Sequence, residues 1–408
     1  MDASATRADT GRREGLGRLG FKAGSSLVFA VLLWFPGLGA AQSQPELQPQ
    51  PDRQDQPDLQ VHLENFDEVA AAAAAARDRG DLPRAIELFQ QAVQLHPKWP
   101  DGWWYLGSLE YNTNAYGSAI DALTHYIELT PGAGPAMALR GLCEFEQRQY
   151  SESLQDLEHG TALGAAAQPR NTAIIVDHEA LLLTHLGKFE EALGKYAVLV
   201  KHGAVNDSLI QGIGLAGLRM PIFPQDITPS QQQMVLLVGR AAAAVMSGEM
   251  TTGQQLFDAV FHGFPSTPYV HYLYGYLLFP TDPGQAIAQF QQELAVSPSS
   301  AIVHSMLAWV YNSEGEYTDA LPDARAAVID DPSLPIAQLV LGRDLIETGN
   351  VQDGMSLLEG VLKTDPKNLE AHLGLVRAYS MLGRRDDAGR ERLLCLALAD
   401  KRASNANM

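Results

Sequence analysis

An all-α solenoid, a tandem array of helix–turn–helix units, is the fold class that this sequence predicts, and three observations predict it. First, the stretch from Ala301 to Cys395 has a period of 34 residues. Lines begun at Ala301, Pro335 and Leu369 agree at column eight (Ala308, Gly342, Val376), column eleven (Tyr311, Leu345, Tyr379) and column twenty (Ala320, Gly354, Ala388). Short side chains at columns eight and twenty let two antiparallel helices approach closely. Second, column fifteen reads Gly315, Gly349 and Gly383, and glycine ends a helix in the left-handed region at little cost. Third, column thirty-two reads Pro332 and Pro366, where proline stops the second helix because it lacks an amide hydrogen and clashes with the turn before it.

The period continues upstream. The column-twenty residue recurs as Ala85, Ala119, Ser153, Ala192, Gly253, Ala286, Ala320, Gly354 and Ala388, with gaps of 34, 34, 39, 61, 33, 34, 34 and 34 residues. Nine repeats are therefore expected, with one small insertion, one large insertion and one deletion. Phe89, Ala92 and Pro97 close the first repeat; Trp103, Leu106 and Gly107 open the second, and Pro131 ends it. The third keeps Gly141, Tyr150 and Leu157 but ends on Gly164, with Gln168, Pro169 and Arg170 in the small insertion after it. The fourth has Gly187 and Phe189, the fifth Gly248, Phe257 and Pro265. The sixth has Gly275, Phe290 and Pro298, with Pro280 and Pro283 in a shortened turn between its helices. Because each repeat packs only on its neighbours, such an array grows as one unit, and its length does not imply several globular domains.

Outside the period the chain changes character. Arg7, Arg12, Arg13, Arg18 and Lys22 precede an apolar run from Leu27 to Phe35, then Pro36-Gly37 and the small residues Gly39-Ala40-Ala41. This is the layout of a cleaved secretory signal over residues 1–41, the run being shorter than the roughly 20 residues of a spanning helix. Residues 42–64 are rich in Gln, Pro and Asp and read as a flexible linker. Repeats one to four then occupy 65–202, and repeats five to nine with a C-terminal cap occupy 234–399. Between them, 203–233 is expected to form an extra helix, capped by Asn206 or Asp207 and running to about Met220, then a loop through Pro221 and Pro224 to a cap at Thr228-Pro229. The final helix, from Asp386 to about Ala399 with Arg384, Arg385, Arg390 and Arg392, is expected to present the polar outer face that a solenoid end needs, with a disordered tail at 400–408.

Composition narrows the function classes. The net charge is −19, and −21 once residues 1–41 are removed. An acidic chain of this kind repels phosphate backbones and anionic headgroups, which argues against nucleic acid and membrane surfaces as partners. Cys143 and Cys395 lie far apart along the array at helix-packing positions and read as buried free thiols.

No arrangement in the sequence reads as catalytic or cofactor-binding. Gly212-Ile213-Gly214-Leu215-Ala216-Gly217 matches the G-x-G-x-x-G pattern, but a dinucleotide site needs that run between a strand and a helix, and its flanks here are helical and Pro-rich. Its glycines are expected to let helices pack closely. Asp177, His178, Glu179 and His185 share one helix, yet the histidines are seven apart rather than the four that a zinc protease requires. His271, His304 and His372 recur at one repeat column, a periodicity that points to structure and not to metal.

The 34-residue helix–turn–helix period, with these columns, resembles the tetratricopeptide repeat. The resemblance covers roughly residues 66–398. It implies a right-handed superhelix whose concave face is lined by first-helix columns two, five, nine, twelve and thirteen. On this sequence those columns supply Trp104 and Tyr111, then Phe145, then Tyr269, Tyr272, Tyr276 and Phe279, then Trp309 and Asn312, then Arg343 and Arg377. Aromatic and arginine side chains are the usual anchors of protein interfaces, and the two arginines suit a carboxylate. The Lys/Asn pattern of the chaperone-binding members is absent. The chain as a whole resembles exported bacterial members, so the expected function is a non-enzymatic scaffold, periplasmic or secreted, that binds a protein or peptide, with charge favouring a basic one. A structural subunit of an envelope complex, and an enzyme or ligand carrier using 203–233, are the rival expectations.

Overall fold

The computed structural model describes residues 65–167, 169–203 and 205–406; the leader and linker expected at 1–64 lie outside the described residues. Nineteen α-helices and one 3-10 turn, with no strand, make up the regular structure among the described residues. They pair as α1 (Phe66–Asp78) with α2 (Leu82–Leu95), α3 (Pro100–Asn112) with α4 (Tyr116–Leu129), α5 (Gly134–Glu146) with α6 (Tyr150–Ala162), and α7 (Pro169–His185) with α8 (Phe189–Lys201). After α9 (Asp207–Gly217), the pairs resume as α10 (Pro229–Met246) with α11 (Met250–Gly263), α12 (Val270–Leu278) with α13 (Pro283–Val296), and α14 (Ala301–Ser313) with α15 (Tyr317–Asp330). They end with α16 (Pro335–Glu347) and α17 (Val351–Thr364), and α18 (Leu369–Met381) and α19 (Arg385–Ala406). The all-α solenoid read from the period is the fold observed. None of the described helices is long and apolar enough to cross a membrane.

Each pair is held by the columns that repeat. The column-twenty residues are buried in all nine units, from Ala85 to Ala388. Opposite them, a Cβ placed on Gly107, Gly275 or Gly342 would lie 2.8 Å from Leu123, Phe290 or Leu358 respectively. The first helix of a repeat thus seats directly on a large side chain of the second, and burying such a side chain contributes roughly 1.5–3 kcal/mol. Side-chain caps start several helices: Asn65, Asn206, Asp282 and Asn368 accept the backbone N–H three residues on, at 2.9–3.0 Å, satisfying donors that a helix start leaves orphaned.

A second contact, recurring at one column, ties the second, seventh, eighth and ninth repeats to the one before. Trp103 Nε1 donates to the Pro97 carbonyl at 2.8 Å, and Gln338 Nε2 to that of Pro332 at 2.7 Å. His304 and His372 place Nε2 3.2 and 3.1 Å from the carbonyls of Pro298 and Pro366. Two of the three periodic histidines are therefore staples across the inter-repeat turn; the third, His271, faces Gln289 at 2.7 Å and stacks on Phe261. The other nitrogens of His304 and His372 face Asp323 and Glu391 at 2.7 and 2.6 Å.

The turn inside each repeat explains column fifteen. Gly80, Gly187, Gly248, Gly315, Gly349 and Gly383 have φ between 70° and 98°, and the residue after all but Gly349 reaches back to a helix carbonyl, as Asp81 N–H does to Ala76 at 3.0 Å. The second and third repeats have Asn114 and Arg148 in this place, still at φ 61° and 60°. A left-handed backbone costs an L-residue roughly 1–2 kcal/mol, asparagine less. Arg148→Gly is expected to raise unfolding free energy by about 1 kcal/mol, checked by urea denaturation; no gain would mean that the arginine side chain offsets the strain.

The insertion is packed through glycine. Asn206 caps α9, and Thr228 with Gln231 forms a capping box before Pro229 at the start of α10. A Cβ on Gly214 would fall well inside 3.0 Å of the Val235 carbonyl oxygen, and one on Gly239 equally close to that of Ile210. Gly212 lies against Tyr196 and Gly217 against Leu273. The G-x-G-x-x-G run is the C-terminal half of a helix whose glycines admit three neighbours.

The last helix differs from expectation in two ways. It runs on to Ala406 instead of ending near Ala399, because residues 400–406 contain neither glycine nor proline to stop it. Its outer face is also not polar throughout: Leu393, Leu394 and Leu396 are exposed.

Candidate peptide-binding groove

An open groove of about 1330 Å³ spans the fourth to eighth repeats. Its walls are the start of α8 (Gly187–Glu191), the α10–α11 turn (Val245–Met250), the end of α12 with its turn (Tyr276–Thr281), α14 through Ile302, Met306 and Trp309, and the start of α16 (Leu334–Ile336). Most of the lining is apolar, including Met246, Met250 and Met306 beside Tyr276, Phe279 and Trp309. Methionine is unbranched and polarizable, so such walls adapt to varied apolar side chains. Charge is confined to one end, where Lys188, Glu190, Glu191, Lys201 and Arg219 gather.

That charged end is rigidly built. Arg219, at the C-terminus of the insertion helix, has φ 53°. Its guanidinium lies 4.7 Å from the Phe189 ring centre and 5.5 and 5.7 Å from those of Tyr269 and Tyr272, while it ion-pairs with Glu190. The Tyr272 hydroxyl donates to the same carboxylate at 2.7 Å, and burial, followed by the Glu190 charge, pushes its pKa well up. Tyr269 is a second left-handed residue, at φ 69°. Its N–H and that of Tyr272 donate to the two oxygens of fully buried Glu293 at 2.7 and 3.2 Å. Charge-assisted bonds at a helix start offset the strain of an aromatic residue in this region.

The nine side chains singled out from the sequence fall into distinct settings. Tyr276 and Trp309 are half-buried and line the groove. Tyr269 is half-buried beside Arg219, whereas Tyr272 is 2% exposed and belongs to the core, so its hydroxyl serves Glu190 and offers a partner no surface. Trp104 packs on Tyr126 at 5.5 Å, and Tyr111 on Tyr116 at 5.9 Å; burial pushes the Tyr111 phenol up to about 12. Phe145 is covered by the insertion loop, its ring 5.6 Å from Phe223. Arg343 lies 5.2 Å over Trp309 and 3.3 Å from Glu370. Arg377 is exposed and forks onto Glu347 at 2.9 Å through both Nε and Nη2. Both arginines thus already hold carboxylates of this chain. Of the further concave positions, Phe279 lines the groove and Asn312 is buried.

Sequence reading missed Phe223. The loop after α9 carries this ring across the third and fourth repeats, stacked on His185 at 4.4 Å and 5.1 Å from Tyr150. A lone aromatic between Pro221 and Pro224 was the available signal. The three groove methionines sit at unrelated columns and gave none.

Comparisons with known proteins match parts of this array. Two family models described as tetratricopeptide repeat match, one at residues 70–134 and 281–335, the other at 345–391. Tetratricopeptide repeat protein 28 of Mus musculus and that of Homo sapiens are each 32% identical over 101 residues, 25% of this chain but only 4% of the relative's length. Similar solved structures include "YrrB: a TPR protein with an unusual peptide-binding site" (17% identity, TM-score 0.35, 42% of this chain and 89% of that one) and the yeast protein Tom70 (13%, 0.31, 82% and 91%). MamA is a third (18% identity, TM-score 0.35, 40% of this chain and 96% of that one). With such matches at 70–134, 281–335 and 345–391 of one array of helix pairs, the chain carries tetratricopeptide repeats at its start and through its last third.

Proposed function

We propose that this protein is a non-enzymatic scaffold that holds an apolar polypeptide segment in the groove between the fourth and eighth repeats. The observation that carries the reading is the groove itself, whose volume of about 1330 Å³ exceeds the roughly 300–1,000 Å³ typical of small-molecule pockets. Its action is positional: Tyr276, Phe279 and Trp309 are spaced anchors, and Met246, Met250 and Met306 adapt around them. The net charge of −19 favours encounter with basic partners at long range. The first 41 residues direct the chain out of the cytoplasm in this reading, which N-terminal sequencing of the protein recovered from cell fractions tests.

A peptide library displayed on phage and panned against the chain tests the groove. Selected peptides should carry two or more spaced apolar side chains. Met250→Glu, a change at a side chain 40% exposed, should weaken them at least about tenfold while the helical circular dichroism and melting stay unchanged. Peptides that bind the variant equally well would remove the groove from the function.

A further inference from the structure

Phe223 is buried, yet the rings around it are themselves only half-buried. Its phenyl stacks on His185 at 4.4 Å and meets Tyr150 and Phe145 at 5.1 and 5.6 Å. Those walls also brace one another. Phe145 stands edge-on to Tyr150 at 6.0 Å and to His178 at 5.0 Å, and Tyr150 stands edge-on to His185 at 4.7 Å. Four rings of the third and fourth repeats thus form an aromatic cage at the surface of the array, and the loop after α9 drops one side chain into it.

The loop keeps its backbone hydrogen bonds to itself and to the end of α9. The N–H groups of Met220 and Ile222 return to the carbonyls of Leu215 and Met220 at 2.9 Å, and those of Asp226 and Ile227 to Phe223 and Pro224 at 2.9 and 3.4 Å. Among the described residues, no backbone hydrogen bond links the stretch from Met220 to Ile227 with the third or fourth repeat. Phe223 is extended, at φ −85° and ψ 158°, and Pro221 and Pro224 stiffen the chain on either side, so the ring is presented with little entropy left to lose. It also gives the cage less than the cage can take. The buried Nδ1 of His185, in the ring stacked on Phe223, has no hydrogen-bond partner among the described residues, and an orphaned polar group weakens the contact that buries it.

We propose that this cage is a second binding site, for an aromatic side chain set between prolines in a partner protein, and that Phe223 is its resident competitor. A segment of that class repeats what the loop offers, a stiff extended backbone and one ring, and gains where it adds a hydrogen bond to His185. The loop keeps the site shut until such a segment displaces it, because a tethered occupant competes at the effective concentration its tether sets. None of the four cage residues lines the groove, so this site stands or falls independently of the peptide reading.

Saturation-transfer NMR of the full chain with a soluble peptide copying residues 219–227, at about 1 mM, tests it. Phe223→Ala should keep the helical circular dichroism and bind the peptide at least about tenfold more tightly than the wild type, whose own loop fills the cage at least about nine-tenths of the time. Pro221→Gly with Pro224→Gly, which keeps the ring but loosens its presentation, should give an intermediate gain. Adding Phe145→Ala to Phe223→Ala should abolish the gain, and a peptide with alanine in place of its phenylalanine should show none. No gain with Phe223→Ala, or with the glycine variant should Phe223→Ala not fold, would overturn the proposal, as would a gain that survives Phe145→Ala.

Discussion

Gly239→Ala is expected to cost at least about 3 kcal/mol of unfolding free energy, and Gly214→Ala a similar amount. In each case the new methyl group meets a backbone carbonyl, Ile210 or Val235, at less than 3.0 Å. Neither α9 nor α10 has a flexible side-chain end that can move aside there, so the helices must separate along their length. Separation exposes the surrounding contacts of Ile213, Leu215 and Val238, all fully buried. The two effects share one cause, and the double variant should therefore cost clearly less than the sum of the singles, since helices already forced apart tolerate the second methyl. Gly194→Ala is the control: nothing lies within 4 Å of its Cβ, and alanine in an exposed helix should stabilise by about 0.5–1 kcal/mol. Urea denaturation of the four variants reads all of this. Additive single effects would show that the seam is not a single close approach.

The second large effect is a dependence of stability on pH. Asp344, on α16, is fully buried, and burial pushes its carboxyl up to about 7 against smaller opposing effects of Asn312 and Arg343. Its side chain and the amide of neighbouring Asn312 face each other without a well-aligned hydrogen bond, and neither has another partner within the protein. Since the folded-state value lies above the unfolded one, the folded chain keeps a proton that the unfolded chain has already released. Its contribution is complete below about pH 4 and is lost as pH rises to about 7, amounting to about 4 kcal/mol at most. Glu144, also buried and pushed up to about 7, adds a loss in the same window. Asp344→Asn isolates the first group. The amide carries no charge and can exchange hydrogen bonds with Asn312, so the variant should match the wild type near pH 4 and exceed it by about 2–4 kcal/mol at pH 8. A stability difference that does not change between those pH values would place the ionised form of Asp344 in the native state throughout.

The sequence by itself determined the repeat. Column twenty, the glycine turns and the proline stops act locally, within one helix pair, and a 34-residue period makes the same local rule visible many times. The staple histidines were legible for the same reason, and so was the structural use of the glycine run in α9. The site was legible only in part: Tyr276 and Trp309 could be assigned to the groove wall by column, but Tyr272, one turn before Tyr276, proved to be core. Only the tertiary structure decided that difference, because it depends on Glu190 and Arg219, far along the chain, arriving at the same hydroxyl and ring. It also decided that Arg343 and Arg377 hold Glu370 and Glu347, that Phe223 covers Phe145, and that three unrelated methionines share one wall. Periodicity records contacts that recur between neighbours, and a contact made once between distant segments leaves no period to read.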